Sequence, residues 1–192
     1  MVKFFLLTAF LTISNMATAQ DMDNVIWDIY GAKFGDSYES TASNIQRHMD
    51  DVYESMGSLA RSFPMNASPQ PITILGSIQY MRYGHSSIYF TFYDVVFDFL
   101  NFYFTSNSET PCFQSALFSI ECDSKKKAKI KYNEVLEKFS KHFTLYPGKD
   151  QNGDELYVGG KYYKYDEKCA FMIRLRKEDK KTIYLYFRDG GF

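Results

Sequence analysis

The residues that most often carry nucleophilic or acid–base chemistry are sparse in this sequence. Its three histidines, His48, His85 and His142, lie far apart in the 192-residue chain, and no two have HxxxH spacing. A metal site needs three or four converging ligands. The run His85-Ser86-Ser87 lacks the Gly-x-Ser-x-Gly turn that presents a nucleophilic serine. These spacings predict no catalytic residue, no metal site and no cofactor.

The cysteines allow two interpretations. Cys112 and Cys122 stand at the two ends of one predicted strand. At the rise of an extended chain they are about 33 Å apart, too far for a disulfide with each other. A bridge from either of them to Cys169 is one interpretation. The other is that all three are small buried hydrophobic side chains, whose thiols are unreactive.

The segment from Asp150 to Asp154 (DQNGD) has the composition of a calcium loop but not its spacing. An EF-hand has glycine at its sixth position and glutamate at its twelfth. Glu155 and Lys161 occupy those positions here. The spacing therefore predicts a polar turn rather than a calcium site.

Two segments have the composition of a binding surface. Lys125, Lys126 and Lys127 open a predicted helix and form a basic patch, which suits an acidic partner or is a solvated helix face. A second segment is rich in tyrosine, whose flat amphipathic ring suits a sugar or a protein, or lines the second face of a sheet. With the turn residue His85 added, the candidate set for partner binding is Tyr157, Tyr162, Tyr163, Tyr165 and His85.

The first twenty residues have the pattern of a secretory signal. Lys3 precedes an apolar run from Phe4 to Ile13, and Ala17 and Ala19 are the small residues that a signal peptidase requires. We expect cleavage after Ala19 and export to the periplasm, the cell surface or the medium. Since no cysteine follows the apolar run, we expect no lipoprotein. No later stretch is long and apolar enough to span a membrane.

The overall composition narrows the class of protein. The chain has 22 basic and 23 acidic residues, which gives no electrostatic reason to expect nucleic-acid binding. Hydrophobic residues make up 45% of it, enough for a folded domain. Aromatic residues make up 18%, and this surplus indicates that they have a structural or a binding role.

The elements that position these residues follow a helix-then-strands order twice. A capping box from Asp36 to Glu39 opens the first helix, and Asp123 is the predicted N-cap of the second. Apolar residues at steps of three and four give each helix one buried face. These residues are Tyr38, Ala42, Ile45, Met49, Val52 and Met56 in the first helix, and Ala128, Tyr132, Val135, Phe139 and Phe143 in the second.

The strands between and after the helices complete an α+β domain. The long β-rich run from Ile88 to Thr105 must fold back. A turn at Tyr93-Asp94 would place Phe92 opposite Val95 and Ile88 opposite Phe99, and a break at Leu100-Asn101 is the alternative. The predicted order is β-α-ββββ-α-βββ, an antiparallel sheet with helices on one face. We expect a single domain over residues 20–192, with possible subunits 25–122 and 123–192.

Two stretches resemble a known group of proteins. The lead-in Gly31-Ala-Lys-Phe-Gly35-Asp-Ser before a helix, and the later YDVVFDF stretch from Tyr93 to Phe99, are similar to those of small exported proteins of Bacteroides-like bacteria. The resemblance implies an exported α+β protein and assigns no catalytic residue. In element order the chain also resembles the β-lactamase-inhibitor-protein-like architecture, as a fold analogy.

These observations lead to three functional hypotheses. The leading one is an exported, non-catalytic protein of the bacterial envelope that binds a protein or a glycan through its sheet. The second is an envelope enzyme of hydrolase type, using His85 and a nearby carboxylate. The third is a structural component of the envelope.

Overall fold

A computed structural model of the 192-residue chain describes residues 28–55, 69–74, 76–82, 86–105, 110–161 and 169–192. The predicted signal segment and most of the predicted tyrosine-rich segment lie outside these ranges. The helices are α1, Tyr38–Ser55, and α2, Lys125–Ser140. The strands are β1 Ile72–Ile74, β2 Ser77–Met81, β3 Thr91–Phe92, β4 Val95–Val96, β5 Phe99–Phe104, β6 Phe113–Glu121, β7 Leu145–Lys149, β8 Glu155–Lys161, β9 Cys169–Leu175 and β10 Thr182–Arg188.

Eight of these strands form one antiparallel sheet in the order β1-β2-β5-β6-β10-β9-β8-β7. Each half of the sheet is a meander that follows its own helix. The two halves meet where their last strands, β6 and β10, pair from Thr182 opposite Glu121 to Arg188 opposite Ser115. The predicted α+β class, with two helix-plus-sheet units sharing one antiparallel sheet, is confirmed.

The strands differ from the predicted order in several places. The predicted first strand at 25–30 is absent from its described part, since residues 28–30 form only a single bridge, between Ile29 and Ala32. Gly76, with φ of 78°, turns the segment from Ile72 onward into the β1–β2 hairpin instead of one strand. After α2 there are four strands instead of three, because Pro147 and Gly148 lie within β7 rather than simply ending the helix. Proline lacks an N–H group, so it is tolerated in an edge strand such as β7.

The run from residue 88 to 105 folds back where the sequence predicted. Tyr93 and Asp94 have φ values of 45° and 61°, and Phe92 pairs with Val95 across a two-residue turn. The predicted pairing of Ile88 with Phe99 is wrong, because residues 86–90 form a short 3-10 helix and Phe99 pairs with Met81 and Ser119. The alternative break at residues 100–101 is also absent, since β5 runs straight through them.

Both helices begin one residue later than predicted. Ser37 Oγ accepts a hydrogen bond from the Ser40 N–H group at 3.2 Å, and Ser124 Oγ accepts one from Lys127 N–H at 3.3 Å. A serine hydroxyl satisfies a free backbone N–H group at a helix start as well as a carboxylate does. The predicted N-cap Asp36 instead accepts from the Lys33 N–H group in the preceding turn.

The core lies between the two helices and one face of the sheet. Aromatic rings fill much of it, and Phe118, at the centre of β6, is fully buried. Most helix positions that face it are those predicted by periodicity, including Ile45 and Met49 on α1 and Val135 and Phe139 on α2. Thr41 is also buried, which was not predicted, and the predicted Met56 lies outside the described residues. This core accounts for a large part of the aromatic surplus. It also leaves the opposite side of the sheet without a helix among the described residues.

Candidate functional site

The side of the sheet that faces away from α1 and α2 is a surface to which all eight strands contribute; we call it the open face. Its side chains alternate along each strand with the buried core residues, as the two-residue period of a strand requires. The open face includes Ile72, Ile74, Ser77, Gln79, Met81, Phe99, Asn101, Tyr103, Ser115, Leu117, Ser119, Glu121, Tyr146, Leu156, Val158, Met172, Arg174, Thr182, Tyr184, Tyr186 and Arg188.

Strand register arranges these side chains in rows that cross the sheet. The middle row runs, strand by strand, through Gln79, Asn101, Leu117, Tyr186, Met172, Val158 and Tyr146. A flanking row runs through Met81, Phe99, Ser119, Tyr184, Arg174 and Leu156. Directly opposite side chains are in contact across neighbouring strands. The rows therefore form one continuous surface rather than scattered exposed groups.

Small and large side chains alternate across the open face. Ser115 and Ser119 are 8% and 7% exposed, although they point away from the core. Their larger neighbours shield them: Ser115 lies between Tyr103 and Arg188. The short serine side chains therefore lie below the tips of the long side chains on either side of them.

Three tyrosines of the open face lie close together. Burial raises the pKa of the Tyr103 phenol, and the nearby phenols of Tyr184 and Tyr186 raise it further. The register agrees, since Tyr103 lies two strands from β10, in the row next to that of Tyr186. Within the described ranges, none of the three hydroxyls has a hydrogen-bond partner. A tyrosine hydroxyl can donate and accept a hydrogen bond, so all three remain available to a ligand.

Arginines supply the positive charge of the open face. Arg174 lies 3.7 Å from the Asp150 carboxylate, in the turn between β7 and β8. Arg176, at the end of β9, lies 3.2 Å from the Glu178 carboxylate. Arg188 is exposed, and no carboxylate of the described residues pairs with it. Tyrosine and arginine are the residues most enriched where protein interfaces gain their affinity.

One aromatic ring already occupies a position on this face. Gly190 and Gly191, with φ values of 83° and 70°, turn the chain after β10 back toward the sheet. The Phe192 N–H group donates to the Cys169 carbonyl at 3.0 Å, and the Phe192 ring lies 5.3 Å from that of Tyr186. The open face thus accepts an apolar ring on Tyr186.

The structure places the predicted binding residues only in part. Tyr157 lies on the opposite, helix-covered side of the sheet, with its ring 6.5 Å from that of Tyr132 on α2. The candidates Tyr162, Tyr163, Tyr165 and His85 fall outside the described residues, and so does the histidine of the hydrolase hypothesis. The tyrosines that the structure gathers are instead on β5 and β10.

The predicted basic patch stands at the start of α2. Lys125 and Lys126 are exposed, while Lys127 Nζ lies 2.5 Å from the Asp123 carboxylate. This pairing lowers the pKa of Asp123 and raises that of Lys127. One of the three predicted cations is therefore already balanced within the chain.

A recess of about 610 Å³ lies beside this patch, between α2 and the ends of β4 and β6. Its cations are paired: Arg82 with Asp98, Lys127 with Asp123, and Lys131 with Glu134 at 2.9 Å. Asp98 also accepts the Glu121 N–H group at 2.8 Å. Because the cations that line this recess are already paired with carboxylates of the chain, they are less available to a charged ligand than the unpaired Arg188 of the open face.

The remaining candidate chemistry is structural where it is described. Cys112, Cys122 and Cys169 are all free, so neither disulfide forms, and burial raises the thiol pKa of Cys122 and Cys169. The Asp150 carboxylate accepts N–H groups of its own turn at 2.8 and 3.0 Å, as expected of a polar turn. Across the described ranges, no three His, Cys, Asp or Glu side chains converge as metal ligands would.

Comparison of the chain with family models, with curated proteins and with solved structures finds no match in any of the three. No helix in the part of the chain that the structure describes has the length and apolarity needed to cross a membrane. The interpretation of the site therefore depends on its own geometry.

The sequence contained one signal for the open face. Thr182, Tyr184, Tyr186 and Arg188 alternate with apolar residues in β10, which indicates a strand with a second, wetter face. That pattern could not identify the neighbours of these residues. Tyr103 lies some eighty residues earlier in the chain, and only the pairing of β5, β6 and β10 brings it beside them.

Proposed function

We propose that this is an exported, non-catalytic binding protein of the bacterial envelope, which binds a protein partner through the open face of its sheet. The observation that carries the proposal is the composition and continuity of that face. It combines tyrosine, arginine, methionine and leucine in register across the strands of one sheet. Interfaces are enriched in aromatic residues, methionine and arginine over the rest of a protein surface.

The dimensions of the open face suit such a partner. Eight strands at about 4.8 Å spacing make it roughly 34 Å wide, and an average of about three same-face residues per strand makes it about 20 Å long. Its area is therefore about 700 Å². A standard interface buries about 800 Å² on each partner. The open face is thus large enough for one specific protein contact.

The chemistry of the face favours a protein over a glycan. Leu117, Met172 and Met81 contribute flexible aliphatic surface, which packs well against protein side chains. Phe192 on Tyr186 shows that an apolar ring fits the face. Sugar recognition depends instead on dense hydrogen bonding around a stacked ring. Binding of a glycan instead of a protein is one of the outcomes that the experiment described below can detect.

The proposed location depends on the sequence. Lys3, the apolar run that follows it and the small residues at Ala17 and Ala19 support export. An exported binding protein needs a folded domain that is stable without a cofactor. The aromatic core beneath the sheet meets that need, because each buried ring removes a large apolar area from water.

The test is selection of a phage-displayed library of random twelve-residue peptides on the purified protein. Selected peptides are then measured against Tyr186→Ala on the open face and Ile130→Ala, whose side chain is 62% exposed on α2. We expect Tyr186→Ala to weaken binding by about tenfold or more, as loss of an interface tyrosine does, and Ile130→Ala to leave it unchanged. Circular dichroism confirms that both variants are folded.

Two results would overturn the proposal. In one, the selected peptides bind both variants as they bind the original protein, so the open face is not their site. In the other, the library yields no binder while a panel of envelope polysaccharides raises the melting temperature, so the partner is a glycan.

A further inference from the structure

One row of the open face is built from a cation and neutral donors. Tyr103 on β5 pairs in register with Ser115 on β6, and Ser115 pairs with Arg188 on β10. With two strand spacings between them, the backbones of Tyr103 and Arg188 are about 10 Å apart. Ser115 is 8% exposed at the floor of the row. Tyr103 and Arg188 therefore flank Ser115 and cover most of it, and we call the position between the two long side chains the Tyr103–Ser115–Arg188 recess.

The charge of this recess is not balanced within the described chain. Arg174 and Arg176 each have a carboxylate within 3.7 Å. Arg188 is exposed and has no such partner among the described residues. The guanidinium group donates through a planar fork, whose geometry matches a carboxylate. The cation of this recess is thus free to bind an anion from outside the chain.

Tyr103, on the opposite side of Ser115 from Arg188, adds a hydroxyl that can donate a hydrogen bond to an anion. Burial and its tyrosine neighbours raise the pKa of Tyr103, so its hydroxyl keeps its proton at neutral pH. A protonated phenol donates a hydrogen bond to a carboxylate oxygen. No acidic side chain belongs to the Tyr103–Ser115–Arg188 row, so nothing within the row competes for these donors.

We infer that the Tyr103–Ser115–Arg188 recess is a recognition site for an acidic side chain, an aspartate or glutamate of the protein partner. The inference rests on the proposed function, and it adds the chemistry of the partner. The carboxylate lies over Ser115. It accepts two hydrogen bonds from the Arg188 guanidinium on one side and one from the Tyr103 hydroxyl on the other. The apolar residues of the middle row then contact the partner around this anchor.

The experiment uses the same phage-displayed peptides, sequenced after selection on the original protein and on Arg188→Glu. We expect peptides selected on the original protein to share an Asp or Glu at a fixed position. Arg188→Gln should weaken them by about tenfold to a hundredfold, since it removes a charged hydrogen-bond partner. Tyr103→Phe, which loses only the hydroxyl, should weaken them by several-fold. Selection on Arg188→Glu should enrich Lys or Arg at that position.

The matched control is Arg47→Gln, which removes the same charge from α1 on the other side of the sheet and should leave binding unchanged. Melting temperatures near that of the original protein for all variants exclude loss of the fold as a cause.

Three results separate the inference from the proposed function. If peptides bind the open face, as judged by Tyr186→Ala, but carry no fixed acidic residue, the inference is wrong and the proposed function stands. If Arg188→Gln and Arg47→Gln weaken binding equally, the effect is one of net charge and the inference is wrong. If only polygalacturonate, a polymer of acidic sugars, depends on Arg188, both are wrong.

Discussion

Two neighbouring residues of β6 test whether the sheet has one buried and one open face. Phe118 points into the core and is 0% exposed, while Leu117 belongs to the open face and is half-buried. We expect Phe118→Ala to destabilise the fold severely and Leu117→Ala to destabilise it only slightly. The two positions share a strand and its pairing partners, so local strand propensity cannot produce the difference.

The magnitude follows from what each side chain contacts. The Phe118 ring lies 5.3 to 5.7 Å from five other rings, those of Tyr30, Phe92, Phe97, Phe102 and Phe187. Its removal leaves a cavity, and such a change costs about 3–5 kcal/mol. Leu117→Ala creates no cavity and loses about half the burial energy of a leucine, so the free energy of unfolding should fall by about 1 kcal/mol.

The assay is urea denaturation followed by circular dichroism, together with thermal melting. A domain of this size loses about 2–4 °C of melting temperature per kcal/mol, so Phe118→Ala should melt roughly 6–20 °C lower. Leu117→Ala should melt within a few degrees of the original protein. If Leu117→Ala costs as much as Phe118→Ala, the face is covered by another part of the chain. The proposed docking surface would then not exist.

Three further predictions concern other parts of the chain. Gly159→Ala should lower the free energy of unfolding by about 1–3 kcal/mol, because its Cβ would lie 2.7 Å from the Phe171 ring; unchanged melting would contradict this packing. Backbone N–H groups hold the pKa of Asp150 below its usual value, so its carboxylate stabilises the fold above about pH 4 and that contribution is lost as pH falls further. The melting-temperature difference between the original protein and Asp150→Asn should therefore be constant from pH 5 to 7 and shrink toward pH 2, and a difference that grows on acidification would refute this. Expression of the full chain in a bacterium should give an exported product that begins at residue 20, as measured by mass spectrometry; an intact start at Met1 would contradict cleavage after Ala19.

The helices were predictable because their signal is local. Apolar residues at steps of three and four define one face of a helix whatever it packs against. Ala128, Val135 and Phe139 are buried as that pattern requires. The caps were predicted one residue too early, since aspartate and serine both serve at that position and adjacent candidates cannot be ranked without the backbone geometry.

The strands were less predictable because a strand depends on its neighbours. The turn at Tyr93-Asp94 was found from alternation on its two sides, but alternation overestimated the length of its strands. Phe99 was predicted to lie opposite Ile88, whereas its register with Met81 and Ser119 places it on the open face. A shift of one residue reverses every side chain of a strand, and only the pairing partner fixes it.

The sequence by itself determined the α+β class, both helices and the abundance of tyrosine, because periodicity and composition are properties of the chain alone. Only the tertiary structure decided which tyrosines act together. Tyr157 was a predicted binding residue and lies against α2, whereas Tyr103 and Tyr186 come from distant segments and share the open face. Tyr103 and Arg188 lie on either side of Ser115 because β6 pairs with both β5 and β10, and no local pattern in the sequence encodes that pairing.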